Sequence, residues 1–387
     1  MNAFTLGLAE HVVRAADREH PADGVLREVL KEERNITPAQ RTAVSMAVFS
    51  FYRWRGWLPA SKPTRMQVEQ AAQLAERYAA QPNSFADDDL LARTLPKWVA
   101  GVMEVTPEWV RTLQLPPTLW LRARRGQGRG LAAKLGDCRQ HGEGALGDTL
   151  EYRGRQDLFL TPEFHAGEFE LQDISSQAVS LICAPQPGET WWDACAGEGG
   201  KTLHLSGLMG NKGLIWASDS AAWRLQKLKR RAARAQVFNY RTAPWDGSAR
   251  LPTRTKFDGV LVDAPCSGIG TWQRNPHARW TVTPQDVEEL SKLQEQMLVN
   301  AAPALKPGGK LLYAVCTLTR AETQGVAGRF EAECPEFERL PVRDPLSAGK
   351  PAGAHVEYWP QQFGGSGMFI AAWTRRGDEG QAVLGGS

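Results

Sequence analysis

At 387 residues the chain is long enough for two or three domains and a sizeable core, and 46 basic against 43 acidic residues leave a net charge of only +3, which by itself selects no partner. No apolar run approaches the roughly 20 residues of a membrane helix, and Glu10 and His11 interrupt any signal-peptide core, so the sequence predicts a cytoplasmic protein. Six cysteines without a Cys-x-x-Cys pair exclude a disulfide framework and a zinc site, and no metal is expected.

Residues 1–113 read as an all-helical domain. Phe4, Leu8, His11 and Val12 recur at helical spacing, Leu26, Val29 and Leu30 continue the pattern, and Thr37-Pro38 is a helix start ahead of Val44, Val48, Phe51 and Tyr52. Arg53-Trp54-Arg55 could stack on nucleic acid, or simply pack at a helix end. Pro116-Pro117 marks a boundary. Residues 117–170 then read as a small α+β module: a strand at Leu119–Ala123, a helix over Leu131–Cys138, and short strands near Leu150–Tyr152 and Leu158–Leu160. Its Arg122, Arg124, Arg125, Arg129, Lys134 and Arg139 form one basic cluster, and Arg224, Lys227, Lys229, Arg230, Arg231 and Arg234 form a second. Either alone reads as a solvated face; together they point to a polyanion such as RNA.

Residues 171–376 alternate strand and helix, the pattern of a doubly wound, Rossmann-like parallel sheet. Strands are expected at Thr190–Trp192, Leu214–Ser218, Val237–Tyr240, Phe257–Val262 and Lys310–Val315, with a helix over 284–305. Residues 377–387 read as a disordered tail. Between the first strand and its helix lies Asp193-Ala-Cys-Ala-Gly-Glu-Gly-Gly-Lys-Thr202, a glycine-rich turn too short for a P-loop and suited to a nucleoside cofactor without a triphosphate. Asp219 and Asp263 end the second and fourth strands, where such sheets meet ribose and base. Cys266 sits just past the strand that Asp263 ends and Cys316 at the end of the fifth strand, and both should face the same crevice. Cys138, Cys183, Cys195 and Cys334 read as small core residues.

The glycine-rich stretch, Asp263-Ala-Pro-Cys-Ser-Gly-Ile-Gly-Thr-Trp-Gln-Arg-Asn-Pro276 and Val315-Cys316-Thr317 together resemble the cofactor, Pro-Cys and second-cysteine motifs of the RsmB/NSUN (Nop2/Sun) family of RNA cytosine-5 methyltransferases. Gln172–Ser176 and Phe363–Ala372 are similar to flanking segments of that family, and residues 1–105 more weakly resemble its NusB-like helical domain. Glu198, Val315 and His277 depart from the family pattern.

The resemblance implies S-adenosyl-L-methionine as cofactor, held by Cys195, Ala196, Gly197, Glu198, Gly199, Gly200 and Lys201, with Asp219 on the ribose, Arg224 beside it, Asp246 near the adenine, and Asp263 as a further contact. It implies Cys316 as the nucleophile, Cys266 as the residue of the release step, Asp263 on the cytosine edge and Lys201 beside the thiolate. The substrate it implies is RNA, 16S rRNA first, with tRNA left open and no protein partner inferred. A DNA cytosine-5 methyltransferase would use only the Pro-Cys thiol. An assembly or RNA-binding protein that retains the fold without turnover is the reading of another class, kept open by Glu198 and Val315.

Overall fold

The computed structural model describes residues 2–347 and 350–377. The chain forms two compact units. One comprises residues 1–117, 267–286 and 359–361, and the other residues 118–266, 287–358 and 362–387.

The first unit is helical, built on Ala3–Ala15, Ala22–Glu32, Pro38–Trp54 and Thr64–Ala80 with shorter helices after them. Pro38 occupies the first helical position, and Thr37 and Gln40 close a reciprocal capping box. Trp54 is fully buried and packs edge-on against Tyr78 and Trp57, so Trp54 and the buried Arg53 belong to the core rather than to a nucleic-acid stacking surface, and only Arg55 of the three is exposed. Arg53 is buried beside it, and desolvation pulls its guanidinium down to about 10. Residues 267–286 fold into this unit. There Arg279, fully buried, donates to the carbonyls of Arg53, Thr94, Leu113 and Trp272 at 3.1–3.5 Å, and Trp280 Nε1 donates to the Tyr52 carbonyl at 2.7 Å.

The second unit carries two sheets. The smaller contains β1 (Leu119–Ala123), β2 (Cys138–Gln140), β3 (Thr149–Tyr152) and β4 (Phe169–Leu171), all antiparallel, in the order β2-β3-β1-β4. Two local expectations fail here. The helix runs Gly128–Leu135 and stops at Gly136, whose φ of +63° suits glycine, so Cys138 opens a strand. Leu158–Leu160 is a 3₁₀ turn capped by the Asp157 side chain, and the strand comes later as β4.

The larger sheet holds β5 (Thr190–Asp193), β6 (Leu214–Asp219), β7 (Tyr240–Pro244), β8 (Phe257–Asp263), β9 (Leu305–Val315), β10 (Phe337–Arg339), β11 (His355–Tyr358) and β12 (Met368–Arg375). Its path is β10-β12-β9-β8-β5-β6-β7, with β11 beside β12. Strands β5 to β9 pair in parallel, and β12 runs antiparallel to β9, β10 and β11. This is the Rossmann-like doubly wound order, and the strand sequence reverses between β5 and β8, where such sheets open a crevice. Strand β7 begins at Tyr240 rather than Val237, because Val237 still caps the preceding helix through Ala232 while Phe238 is exposed. The helix from Pro284 ends at Ala301, and a 3₁₀ turn over Ala302–Ala304 leads into β9, which starts at Leu305. The tail expected over 377–387 lies, from 378 onward, outside the described residues.

Candidate active site

The crevice starts where β5 delivers its chain into the glycine turn. Gly197 (φ +56°) and Gly199 (φ +89°) take left-handed conformations, and a Cβ on Gly199 would strike Leu228 at 2.6 Å, so that glycine lets the helix Gly200–Leu208 pack closely against the next. At Gly197 the nearest side chain to such a Cβ is Arg224, 3.9 Å away, which leaves the turn open toward the crevice.

A cavity of about 320 Å³ lies beside this turn. Cys195, Ala196 and Gly197 line one wall; Asp219 and Asp246 come from the ends of β6 and β7, and Arg224 from the helix Ala222–Ala235 after β6; Asp263, Cys266 and Cys316 come from the ends of β8 and β9. Glu198, Gly199, Gly200 and Lys201 do not line it. Glu198 pairs instead with Lys227 at 2.7 Å, so its carboxylate adds no charge to the cavity wall. Lys201 is buried and donates to Asp263 Oδ2 at 2.6 Å. Three apolar lining residues, Trp245, Leu293 and Met297, were not singled out by sequence. The last two are one turn apart on the helix Pro284–Ala301, where their spacing looks like any core stripe.

Each strand-end acid is held by its neighbours. Asp219 accepts from the amides of Gly197 (3.0 Å) and Ala221 (2.8 Å), with Arg224 at 3.5 Å. Asp246 accepts from Ser248, which holds its carboxyl below the usual value. Burial pushes Lys201 down, but the charge and hydrogen bond of Asp263 outweigh it and the ammonium titrates above its usual value. The buried Asp193 carboxyl behind the turn rises to about 7 through desolvation, in spite of a 2.6 Å bond from the Thr202 hydroxyl. Burial, and then the surrounding carboxylates, lift Cys195 far above an ordinary thiol, which keeps it protonated.

Cys266 and Cys316 meet. Their sulfurs are 3.3 Å apart, well beyond the roughly 2.0 Å of a disulfide. The strands that carry them, β8 and β9, are neighbours in the sheet, and this brings positions fifty apart in sequence onto one wall. Val315, before the second cysteine, is fully buried in the sheet core.

The two basic clusters are largely spoken for. Arg231 and Arg234 both bind the buried Glu170, at 2.8 and 2.5 Å. Arg122 is buried against Gln172, Arg124 caps the carbonyls of Ala166 and Gly167, Arg125 that of Leu208, and Lys134 pairs with Glu168. Arg129, Arg139, Lys229 and Arg230 remain on the exposed surface. Among the described residues no cluster of three metal-ligating side chains occurs, and no helix is long and apolar enough to cross a membrane.

An open turn, acids at two consecutive strand ends and an apolar wall suit a nucleoside, so fold and site together define a Rossmann-like, S-adenosylmethionine-dependent methyltransferase. The sequence profile described as 16S rRNA methyltransferase RsmB/F matches residues 180–374. The chain is 31% identical over 324 residues to the ribosomal RNA small subunit methyltransferase B of Citrobacter koseri, covering 81% of this chain and 72% of that one. It is 42% identical over 173 residues to a probable ribosomal RNA small subunit methyltransferase B of Synechocystis, covering 44% of this chain and 38% of that one. A similar protein from Bacillus subtilis is 35% identical, over 55% of this chain and 49% of its own length. The chain thus spans less than half the length of these last two relatives. Among solved structures, PH0851 superposes with a TM-score of 0.77 at 21% identity over 97% of this chain and 99% of its own. A methyltransferase homolog protein from Pyrococcus horikoshii does so with 0.58 at 25% identity, over 70% and 90%. The chain belongs to the RsmB/F methyltransferase family.

Proposed function

We propose that this protein transfers a methyl group from S-adenosylmethionine to carbon 5 of a cytosine in RNA, with 16S rRNA as substrate, through a covalent enzyme–cytosine intermediate. The observation that carries the reading is the pair of thiols 3.3 Å apart on the wall that also presents Asp263 and, across the crevice, Asp219.

The cofactor supplies an electrophilic methyl on a sulfonium. Carbon 5 of cytosine is too electron-poor to take it unaided. In the proposal the Cys316 thiolate adds to carbon 6, and the electron pair this releases makes carbon 5 the nucleophile. Asp263 accepts from the cytosine amino edge, and Lys201, which stays protonated, keeps a positive charge close to the thiolate. After transfer the carbon 5 proton leaves to a base, the electron pair reforms the double bond, and the bond from carbon 6 to Cys316 breaks; Cys266 serves this release. Cys195, Ala196, Gly197, Asp219, Arg224 and Asp246 hold the cofactor, while Glu198, Gly199 and Gly200 shape the turn from behind. The small α+β module, residues 117–170, presents Arg129 and Arg139 to the RNA backbone. A stacked base cannot reach such a crevice, so the target is unpaired or flipped out.

The test is covalent trapping with S-adenosylmethionine and bacterial rRNA. A protein–RNA adduct should accumulate in Cys266→Ala and be absent in Cys316→Ala. Trapping on tRNA instead would move the substrate. Cofactor binding with neither adduct nor transfer would favour a non-catalytic assembly factor.

A further inference from the structure

Behind the two cysteines lies a buried polar group that none of the chemistry above uses. Glu322 and Gln294 are both completely buried, among apolar side chains where a carboxylate and an amide are costly unless every hydrogen bond is made. Gln294 Nε2 donates to the Pro265 carbonyl at 2.9 Å and to Glu322 Oε1 at 3.0 Å. The other carboxylate oxygen, Oε2, accepts from the hydroxyls of Thr317 at 3.2 Å and Thr319 at 2.8 Å. The Tyr313 hydroxyl, also fully buried, lies 2.9 Å from Gln294 Oε1 and 2.6 Å from the Glu322 carbonyl.

Pro265 immediately precedes Cys266, and Thr317 immediately follows Cys316. The network therefore ties the backbone on one side of the first thiol to the side chain on the far side of the second. We infer that Glu322 and Gln294 are positioning residues, a clamp that sets the separation and aim of the Cys266 and Cys316 sulfurs. Neither lines the cavity, so both stand behind its wall. A carboxylate is the suitable centre because it only accepts: it takes two hydroxyls and one amide without needing a donor in return. Gln294, Thr317 and Thr319 each donate to Glu322 there, and the Gln294 amide can donate to two acceptors at once while its oxygen faces Tyr313. Replacing the carboxylate with an amide puts an N–H₂ group against either the hydroxyls or the Gln294 N–H₂.

This inference rests on the proposed roles of the two cysteines, so its test needs one readout that depends on them and one that does not. The variants are Glu322→Gln and Gln294→Met, compared with wild type at equal folded fraction, as fixed by thermal unfolding. Misplacing a reacting atom by about an ångström costs on the order of a hundredfold in rate. Single-turnover adduct formation and decay should both slow about tenfold or more, while the KM for S-adenosylmethionine stays within about twofold. A merely structural role would lower the folded fraction and leave the rates per folded molecule intact.

The independent readout is the closing of a Cys266–Cys316 disulfide by hydrogen peroxide. Two thiols lose their protons and two electrons to the peroxide, giving one S–S bond and two waters, and peptide mapping by mass follows it. This reports sulfur proximity whether or not the protein is catalytic. Wild type should close this bond, and both variants should close it at least about fivefold more slowly, since exchange and oxidation follow access and alignment. Disulfide closure and adduct rates at wild-type values in both variants would overturn the clamp. If Cys266→Ala forms no adduct while the two clamp variants still slow disulfide closure, the clamp stands and the covalent cytosine-5 reading falls.

Discussion

Lys201 donates to Asp263 across 2.6 Å from a nearly buried position, although its own backbone belongs to the helix after β5 and Asp263 ends β8. The pair thus bridges the point at which the sheet order reverses. Lys201→Met removes the cation and leaves the Asp263 carboxylate without its charge partner. Adduct formation should slow about tenfold or more, and the acid limb of its pH profile should move to higher pH, because a nearby positive charge favours thiolate over thiol. Stopped-flow or quenched trapping between pH 6 and 9 measures both, and an unshifted profile would remove Lys201 from the chemistry.

Asp193 makes stability depend on pH. Folding raises its carboxyl from 3.8 to about 7, so the folded state holds a proton that the unfolded chain has already lost across that range. The resulting stability is fully present below about pH 4, falls as pH rises, and is gone once pH passes about 7. The ideal slope is about 1.4 kcal/mol per pH unit, a ceiling for a buried group. Asp193→Asn should flatten the urea-unfolding free energy between pH 5 and 7 relative to wild type. Above pH 7.5 the two curves should run parallel.

Charge in the basic clusters divides between folding and binding. Glu170→Gln leaves Arg231 and Arg234 side by side without their shared carboxylate, and breaking such a buried pair costs roughly 3–5 kcal/mol. Lys229→Ala and Arg230→Ala, both exposed, should leave stability near wild type and weaken RNA binding. Each should reduce the slope of log affinity against log salt by about 0.7–0.9. Filter binding across a salt series tests this, and an unchanged slope in the double variant would move the RNA path off that helix.

Arg279 is the stabilising centre of the helical unit. Burial lowers its guanidinium to about 9, yet it still serves four backbone carbonyls. Arg279→Met fills much of the volume but strands those acceptors, at about 1–3 kcal/mol for each one left without a partner. A loss above about 3 kcal/mol is expected by denaturant unfolding. A loss below 1 kcal/mol would mean that the carbonyls find water.

The α/β architecture was readable because strand and helix periods alternate cleanly after residue 171, and the crevice residues were readable because Asp219, Asp263, Cys266 and Cys316 all fall at strand ends. The same logic could not see Gln294 or Glu322. A single polar residue on a helix or in a loop looks solvated until the fold shows it fully buried. Nor could it see that the basic clusters are partly internal, since Glu170 lies 61 and 64 positions from the arginines it binds. Phe238 misled in the opposite way: a β-favouring residue, it is left outside by a helix that needs Val237 as its last apolar anchor.

Residues 267–286 leave the catalytic unit one position after Cys266 and lodge with the helices. Neither unit is therefore a continuous stretch of gene, and no single cut separates them. A fragment beginning at Thr118 would carry Arg279 and Trp280 away from the carbonyls of Arg53, Thr94, Leu113 and Tyr52 that receive their protons. Trimming away the N-terminal helices would therefore also require a new sequence just downstream of the Pro-Cys motif, to replace contacts that the helices now supply.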